Sequence, residues 1–195
     1  MLARALGSQA IGVLDVSIKK EEQTMLAQES AATRAAKPMA DAIALLTQDH
    51  RALADLLTEF EYASGPRKAD LANRICADLT AHMRIEEEIF YPAAREVLTE
   101  DGQVLLDEAD IEHGTFKRLI ARIRATSPAS DQFHALVMVL GDFVRFHVNM
   151  EEHELFPRLH QTVLDVARVG TQLAELKEQI VLNAHTPQAL EGSRG

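Results

Sequence analysis

A histidine and a glutamate four residues apart occur twice in the chain, each time within a similar run of residues. The first copy, AHMRIEEEIFYP, contains His82 and Glu86, and the second, FHVNMEEHELFP, contains His147 and Glu151. Residues four apart lie one turn above each other on the same face of a helix. Each copy therefore directs one imidazole and one carboxylate toward the same point. Both groups are common ligands of transition-metal ions, so the repeat predicts a metal site.

A second pair of histidines extends the repeat. Asp49-His50 precedes the first copy and Glu112-His113 precedes the second, at similar separations. All four histidines fall on the apolar faces of successive predicted helices, near the middle of each, so they can meet at one level of a bundle. The predicted metal ligands are His50, His82, Glu86, His113, His147 and Glu151.

The number of ligands limits the kind of site. One histidine on an apolar helix face is usually a packed core residue, but burying six titratable groups without a counter-ion would cost several kcal/mol for each unpaired carboxylate. Four nitrogens and two oxygens are too many for one tetrahedral zinc ion, and no cysteine is among them. They suit two metal ions that each take two histidines and share both glutamates. Iron, manganese and zinc all remain compatible with such ligands.

Helices must position these ligands, because apolar residues recur at steps of three and four along most of the chain. After Ser64-Gly65, Pro66 suits the first turn of a second helix, whereas Pro92 should kink or end it. A turn near Asp101-Gly102 leads to a third helix. We interpret Ser127-Pro128 as the cap and first turn of the fourth. The predicted buried face of the fourth helix carries Leu136, Leu140, Phe143, His147, Met150 and Glu151.

The predicted fold class is all-α, an antiparallel up-down-up-down four-helix bundle built from the hairpins 39–98 and 102–160. We predict an N-terminal extension over residues 1–38, partly disordered, before the bundle at 39–160. Residues 161–195 form a C-terminal helix and tail. The apolar face of that helix must pack on its own bundle or on a second copy of the chain, so either a monomer or a homodimer is expected.

The composition of the chain limits the classes of partner that we expect. The chain of 195 residues carries a formal net charge of −10, which argues against nucleic acid as a partner. No segment reaches the roughly 20 apolar residues that span a membrane. The single cysteine, Cys76, excludes an internal disulfide and suits a reducing compartment, so we expect a cytoplasmic protein.

Residues 39–160 resemble the hemerythrin-like (HHE cation-binding) family of non-haem di-iron four-helix bundles. The resemblance rests on DH, HxxxEEExxFYP, EH and HxxxEEHxxFP as they stand in this chain. It implies two iron ions joined by an oxo or hydroxo bridge, with manganese or zinc as alternatives. His50 and His82 would bind one ion and the last two histidines the other, with Glu86 and Glu151 bridging them.

Two positions depart from the oxygen-carrying members of that family, which have a more widely spaced aspartate on the fourth helix where this chain has the HxxxE form. Those members also have a further histidine one turn after the third-helix histidine, where this chain has Lys117, and lysine is normally protonated and a poor ligand. The resemblance is therefore to the hemerythrin-like proteins that handle peroxide, nitric oxide or iron rather than to oxygen stores. Three functions stay open: a centre that binds or turns over oxygen, peroxide or nitric oxide, with catalase-like activity and a role in oxidative stress; a sensing or interaction module; and a purely structural metal site.

Overall fold

The computed structural model describes residues 41–185, over which the chain forms five helices and connecting turns, with no strand. Helix α1 is Ala42–Tyr62, and α3 is Glu100–Ala125. Two helices contain an internal π-helical turn. The segments are Pro66–Ile85, Glu86–Phe90 and Tyr91–Arg95 in α2, and Asp131–Met150, Glu151–Leu155 and Phe156–Leu159 in α4. Helix α5 is Val166–His185.

The predicted all-α fold class is confirmed. Helices α1 and α2, α2 and α3, and α3 and α4 pack on each other in turn, and α4 returns to α1, so the four form a closed ring. The connections are short, which places successive helices antiparallel. The predicted extension at 1–38 and the end of the predicted tail at 186–195 lie outside the described residues.

The core consists of two apolar clusters, one toward each end of the bundle. One contains Leu53 and Phe116, and the other contains Leu46 and Ala109. Each of the four histidines lies in the sequence between a residue of one cluster and a residue of the other. His50, for example, falls between Leu46 and Leu53. The histidines therefore occupy a polar layer at the middle of an otherwise apolar interior.

Helix starts differ from two sequence-based predictions. Pro66 begins α2 as expected, after Gly65 at a positive φ of 57°. The cap of α4, however, is Ser130, whose hydroxyl accepts from the Phe133 amide at 3.2 Å, rather than Ser127. Helix α3 already begins at Glu100. Gly102 thus lies inside its first turn, where a Cβ would come within 2.9 Å of the Leu98 side chain.

The prolines that follow the two His–Glu pairs do not end their helices. Instead the preceding turn widens, so that the Tyr91 amide donates to the Glu86 carbonyl and the Phe156 amide donates to the Glu151 carbonyl, five residues earlier in each case. A proline ring clashes with the carbonyl four residues before it in a regular α-helix, and the wider turn gives the ring room. Both copies make the same adjustment, which supports their common origin.

On α4 the buried face is rotated slightly from the predicted one. Phe143 is 45 % exposed, and Val144 is buried in its place. On the buried face, Val144 lies between Leu140 and His147, four residues after Leu140 and three before His147. Sequence spacing alone allowed either residue.

Helix α5 packs on its own bundle, against α1 and α2. Val169 and Leu173 are fully buried in the same cluster as Ile43 and Phe90, and Val166, Leu176 and Ile180 are partly buried around them. Of the two predicted ways to cover this apolar face, the structure therefore contains the intramolecular one. None of the helices between residues 41 and 185 is long and apolar enough to cross a membrane.

Truncating Val169 to alanine should lower the free energy of unfolding by about 2 kcal/mol, because two methyl groups leave a packed site and a cavity remains. Val163, 92 % exposed just before α5, provides a matched control. Val163→Ala should change stability by less than about 0.5 kcal/mol. Urea unfolding followed by circular dichroism measures both, and equal effects would contradict the packing of α5 on this bundle.

Candidate metal centre

The six predicted ligands come together at the middle of the bundle and are all buried, with exposed fractions of at most 3 %. They form two overlapping groups in which the potential ligand atoms of each group lie within 4.8 Å of one another. One group contains His50, His82, Glu86 and Glu151. The other contains Glu86, His113 and His147.

Glu86 is the residue common to both groups. Its Oε1 lies 3.2 Å from His82 Nε2, and its Oε2 lies 3.4 Å from His113 Nε2. One oxygen therefore faces each group, which is the arrangement of a carboxylate that bridges two ions. Within each group the paired histidines face each other through Nε2, at 3.2 Å for His50 and His82 and 3.3 Å for His113 and His147.

Glu151 is placed less symmetrically than the prediction of two bridging glutamates implied. Its Oε2 lies 3.2 Å from His50 Nε2 and 3.6 Å from His147 Nε2. Its other oxygen accepts a 2.8 Å hydrogen bond from the Tyr91 hydroxyl, which also lies 3.4 Å from His113 Nε2. A single free oxygen thus faces the histidines. In the sequence, this contact is indicated only by the presence of tyrosine in one copy where the other copy has Phe156.

A ring of acidic side chains faces the outer nitrogens of the four histidines. His50 Nδ1 is 2.8 Å from Glu152 Oε1, and His113 Nδ1 is 3.0 Å from Glu87 Oε1. These acids directly follow the glutamates of the two repeats and occupy equivalent positions in them. Hydrogen bonds of this kind fix the ring orientation and tautomer, so that Nε2 is the nitrogen presented to the centre.

The other two histidines face acids whose role the sequence analysis missed. His147 Nδ1 is 2.8 Å from Glu112 Oε2, and His82 Nδ1 is 3.7 Å from Asp49 Oδ2. Each acid directly precedes a histidine on the neighbouring helix. The signal available was its presence in both copies, since Asp49 and Glu112 occupy equivalent positions.

Two lysines lie outside this ring. Lys117 Nζ is 2.7 Å from Glu87 Oε2, so the lysine at the third-helix position that departs from the oxygen carriers contacts an outer acid and not the centre. Lys177 of α5 contacts Asp49 in the same way. The C-terminal helix thereby reaches the acid that faces His82.

Buried charge shifts the titration of the ligands. Burial disfavours the imidazolium form of His82, but the carboxylates of Glu86 and Asp49 outweigh burial and raise its pKa to about 10. For His147 the same competition, with Glu151 and Glu112, raises the pKa. Burial would raise the pKa of Glu86, yet the neighbouring imidazoles hold it well below its ordinary value. His82 is therefore protonated at neutral pH beside the ionised carboxylate of Glu86.

The cluster also contains polar atoms with no hydrogen-bond partner. Among the described residues, the buried side-chain atoms in this state are His82 Nδ1, both oxygens of Glu86 and Glu151 Oε2. Orphaned buried polar atoms are costly and rare. All of them belong to the predicted ligands, and three are carboxylate oxygens turned toward imidazole nitrogens. Both the donor set and the unpaired atoms fit a bound pair of divalent or trivalent cations.

Metal loading should release protons from the buried cluster. The folded-state pKa of His82 is about 10 against an ordinary value of 6.5, so the metal-free fold holds this proton at neutral pH. The resulting stabilisation is fully present below pH 6.5 and is lost as the pH rises through 10. Because a metal ion binds neutral imidazole, metal affinity should rise over the same window by about tenfold per pH unit for each proton released.

Titrating metal into weakly buffered metal-free protein with a pH indicator measures this release. The Asp49→Asn variant removes one charge that holds the proton on His82, so it should release fewer protons at neutral pH. Loading without acidification, or a metal affinity independent of pH, would contradict the imidazolium–carboxylate pairs.

The acids that precede the histidines should matter for metal affinity without being ligands. Asp49→Asn and Glu112→Gln should each weaken metal binding by about 10- to 100-fold, because His82 and His147 lose the partners that orient them. Exposed acids on the same helices, changed by Asp55→Asn and Glu108→Gln, provide matched controls. Competition with a chelator of known affinity measures all four, and equal affinities would mean that packing alone orients the rings.

Comparison with known proteins agrees with this geometry. A crystal structure of a hemerythrin HHE cation-binding domain-containing protein from Mycobacterium kansasii superposes with a TM-score of 0.63. The match covers 74 % of this chain and 89 % of that one at 19 % sequence identity, which establishes a shared fold.

A DNA nickase from a Nostoc species is 36 % identical over 121 residues, which are 61 % of this chain but only 33 % of that protein. This chain thus matches about a third of the length of that relative. The profile of the hemerythrin HHE cation-binding domain matches residues 41–159, which include all six predicted ligands. The match covers more than half of the chain, and the protein therefore belongs to the hemerythrin HHE cation-binding domain family.

Proposed function

We propose that this protein holds a carboxylate-bridged pair of non-haem iron ions and uses it to bind or turn over a small oxidant: oxygen, peroxide or nitric oxide. The observation that carries the proposal is the position of Glu86, whose two oxygens face two separate histidine pairs within one buried cluster. A structural site for one ion would need only one of these pairs.

The surroundings of the cluster support reactivity over a closed structural role. Bound iron would supply the redox capacity and open coordination positions that oxidant chemistry needs. On the protein side, the apolar clusters exclude water, and Glu87, Glu112 and Glu152 orient the histidines. Tyr91 adds a buried hydroxyl at the edge of the centre. Its pKa is raised well above the ordinary value by burial and by the charges of Glu151 and Glu86, so the hydroxyl stays protonated and can donate.

Sensing is a second candidate function, favoured by one contact. Lys177 of α5 contacts Asp49, which faces His82, so a change at the centre has a direct route to a helix outside the four-helix ring. Metal or redox state could then alter how α5 packs and which partner it presents.

DNA nicking is not carried over from the Nostoc protein. Two thirds of that protein lies outside the matched region, and this chain has a net charge of −10, opposite to a phosphate-binding surface. We propose a small ligand rather than nucleic acid as the partner.

The first test is metal analysis of protein purified without added metal, together with its visible spectrum. We expect about two iron ions per chain, the number that a di-iron bundle holds, and an absorption band of an oxo-bridged pair. One zinc ion, or no metal, would overturn the di-iron proposal.

The second test adds hydrogen peroxide to the iron-loaded protein and follows oxygen evolution. Glu86→Ala should lower the rate by at least about 100-fold, because the shared ligand is lost. Glu88→Ala is the matched control, since Glu88 lies in the same π-helical turn but is exposed and pairs with Arg84. If iron-loaded protein leaves peroxide, oxygen and nitric oxide unchanged, the reactive function is wrong. Iron-dependent protection of α5 from proteolysis would then favour sensing.

A further inference from the structure

A cleft of about 160 Å³ opens between α1 and α4 and ends at the buried centre. Its most buried lining residue is His50, one of the predicted ligands, beside Glu152, the acid that faces the outer nitrogen of His50. Apolar side chains line the walls, among them Leu57, Val144 and Val148. A small molecule in this cleft would lie against the far side of a ligand ring.

The cleft exists because one half of the internal repeat has smaller side chains than the other. The equivalent groove in the other half lies between α2 and α3. There Lys117 corresponds to Ala54, Leu79 corresponds to Val144 and Met83 corresponds to Val148. Leu79 and Met83 are 1 % exposed, and the Lys117 side chain crosses to Glu87 at 2.7 Å.

Three smaller residues therefore leave space beside His50, while their larger counterparts fill it beside His113. The resulting asymmetry between two otherwise matched histidines is a property of this chain's own side chains.

The lining selects an uncharged occupant. Arg145 lines the cleft, but its guanidinium donates to Asp142 at 2.6 Å and lies 4.0 Å from Glu61, so its charge is already shared between two acids. The polar lining residues Asn149 and His153 contact each other at 3.3 Å. Glu152 contributes a carboxylate that repels anions, and the apolar walls disfavour any ion. The volume is close to that of an apolar cavity, about 150 Å³, that accommodates benzene or xenon.

We propose that the cleft between α1 and α4 is a binding pocket for small uncharged molecules and the side from which they approach the centre, next to His50. The approach to the centre rests on the proposed function, whereas the pocket itself does not. Hydrogen peroxide, small organic hydroperoxides and diatomic gases belong to this chemical class.

The test compares Ala54→Met with Lys117→Met, which place the same side chain at equivalent positions of the two halves. Both positions are exposed, so both variants should fold and melt like the wild type. A flexible methionine at position 54 should fill the cleft. At position 117 methionine keeps the length of the lysine stem and leaves the cleft untouched.

Xenon binding, followed by xenon NMR on the full chain, tests the pocket without reference to any metal. Wild type and Lys117→Met should show saturable binding, and Ala54→Met should weaken it by at least about tenfold. Absence of saturable binding in the wild type, or equal binding in all three proteins, would overturn the pocket.

Stopped-flow measurement of the iron-loaded protein with tert-butyl hydroperoxide tests the approach. The second-order rate constant should fall at least about tenfold in Ala54→Met and stay unchanged in Lys117→Met. Equal rates in all three, or equal losses in both variants, would overturn the approach through this cleft. If the wild type does not react, the proposed reaction with peroxide fails, and the xenon result alone decides whether the pocket exists.

Discussion

The structure depends on the balance of charge among the six predicted metal ligands, which form one buried layer. Two glutamates and four imidazoles lie within a layer that apolar clusters close above and below. Without metal, the proton held on His82 offsets the carboxylates, and Glu151 and Glu112 raise the pKa of His147. Outside the layer, acids face the histidines and lysines face two of those acids, so that charge alternates outward from the centre to the surface. Because the facing acids contact the histidines directly, a substitution of one of these acids reaches the centre electrostatically, whereas the exposed Lys117 contacts only an acid.

The two halves of the internal repeat contribute equivalent residues to this charged layer. In each half, one helix supplies a histidine preceded by an acid, and the next supplies a histidine, a glutamate and a further acid. Every acid contacts the histidine of another helix, so the hydrogen bonds of the centre also join the helices. The site and the bundle are therefore one cooperative unit. The halves differ at the edges, where Tyr91 corresponds to Phe156 and Lys117 corresponds to Ala54.

Much of the candidate metal centre could be predicted from sequence, because the predicted ligands recur with the same helical spacing as the core residues. His50 and His113 are in phase with the apolar stripe, and duplication removed the ambiguity of a single His–Glu pair. Contacts between helices were harder to predict. Whether Asp49 caps its own helix or faces His82 depends on how two helices are rotated, and a shift of one residue exchanges Phe143 with Val144. Likewise, an amphipathic α5 indicates that a face is covered but not which surface covers it.

The π-helical turns separate the ligands from the residues that follow them. Each of these turns holds one residue more than a regular α-helical turn. Deleting one residue after Glu86 would restore a regular helix and leave the downstream residues on nearly the same face. Tyr91 would still face Glu151, but the proline after it would meet the carbonyl four residues before it. The extra residue in each half therefore allows a proline to follow the predicted ligands closely, whereas a deletion within a regular part of these helices would rotate the downstream residues by about 100°.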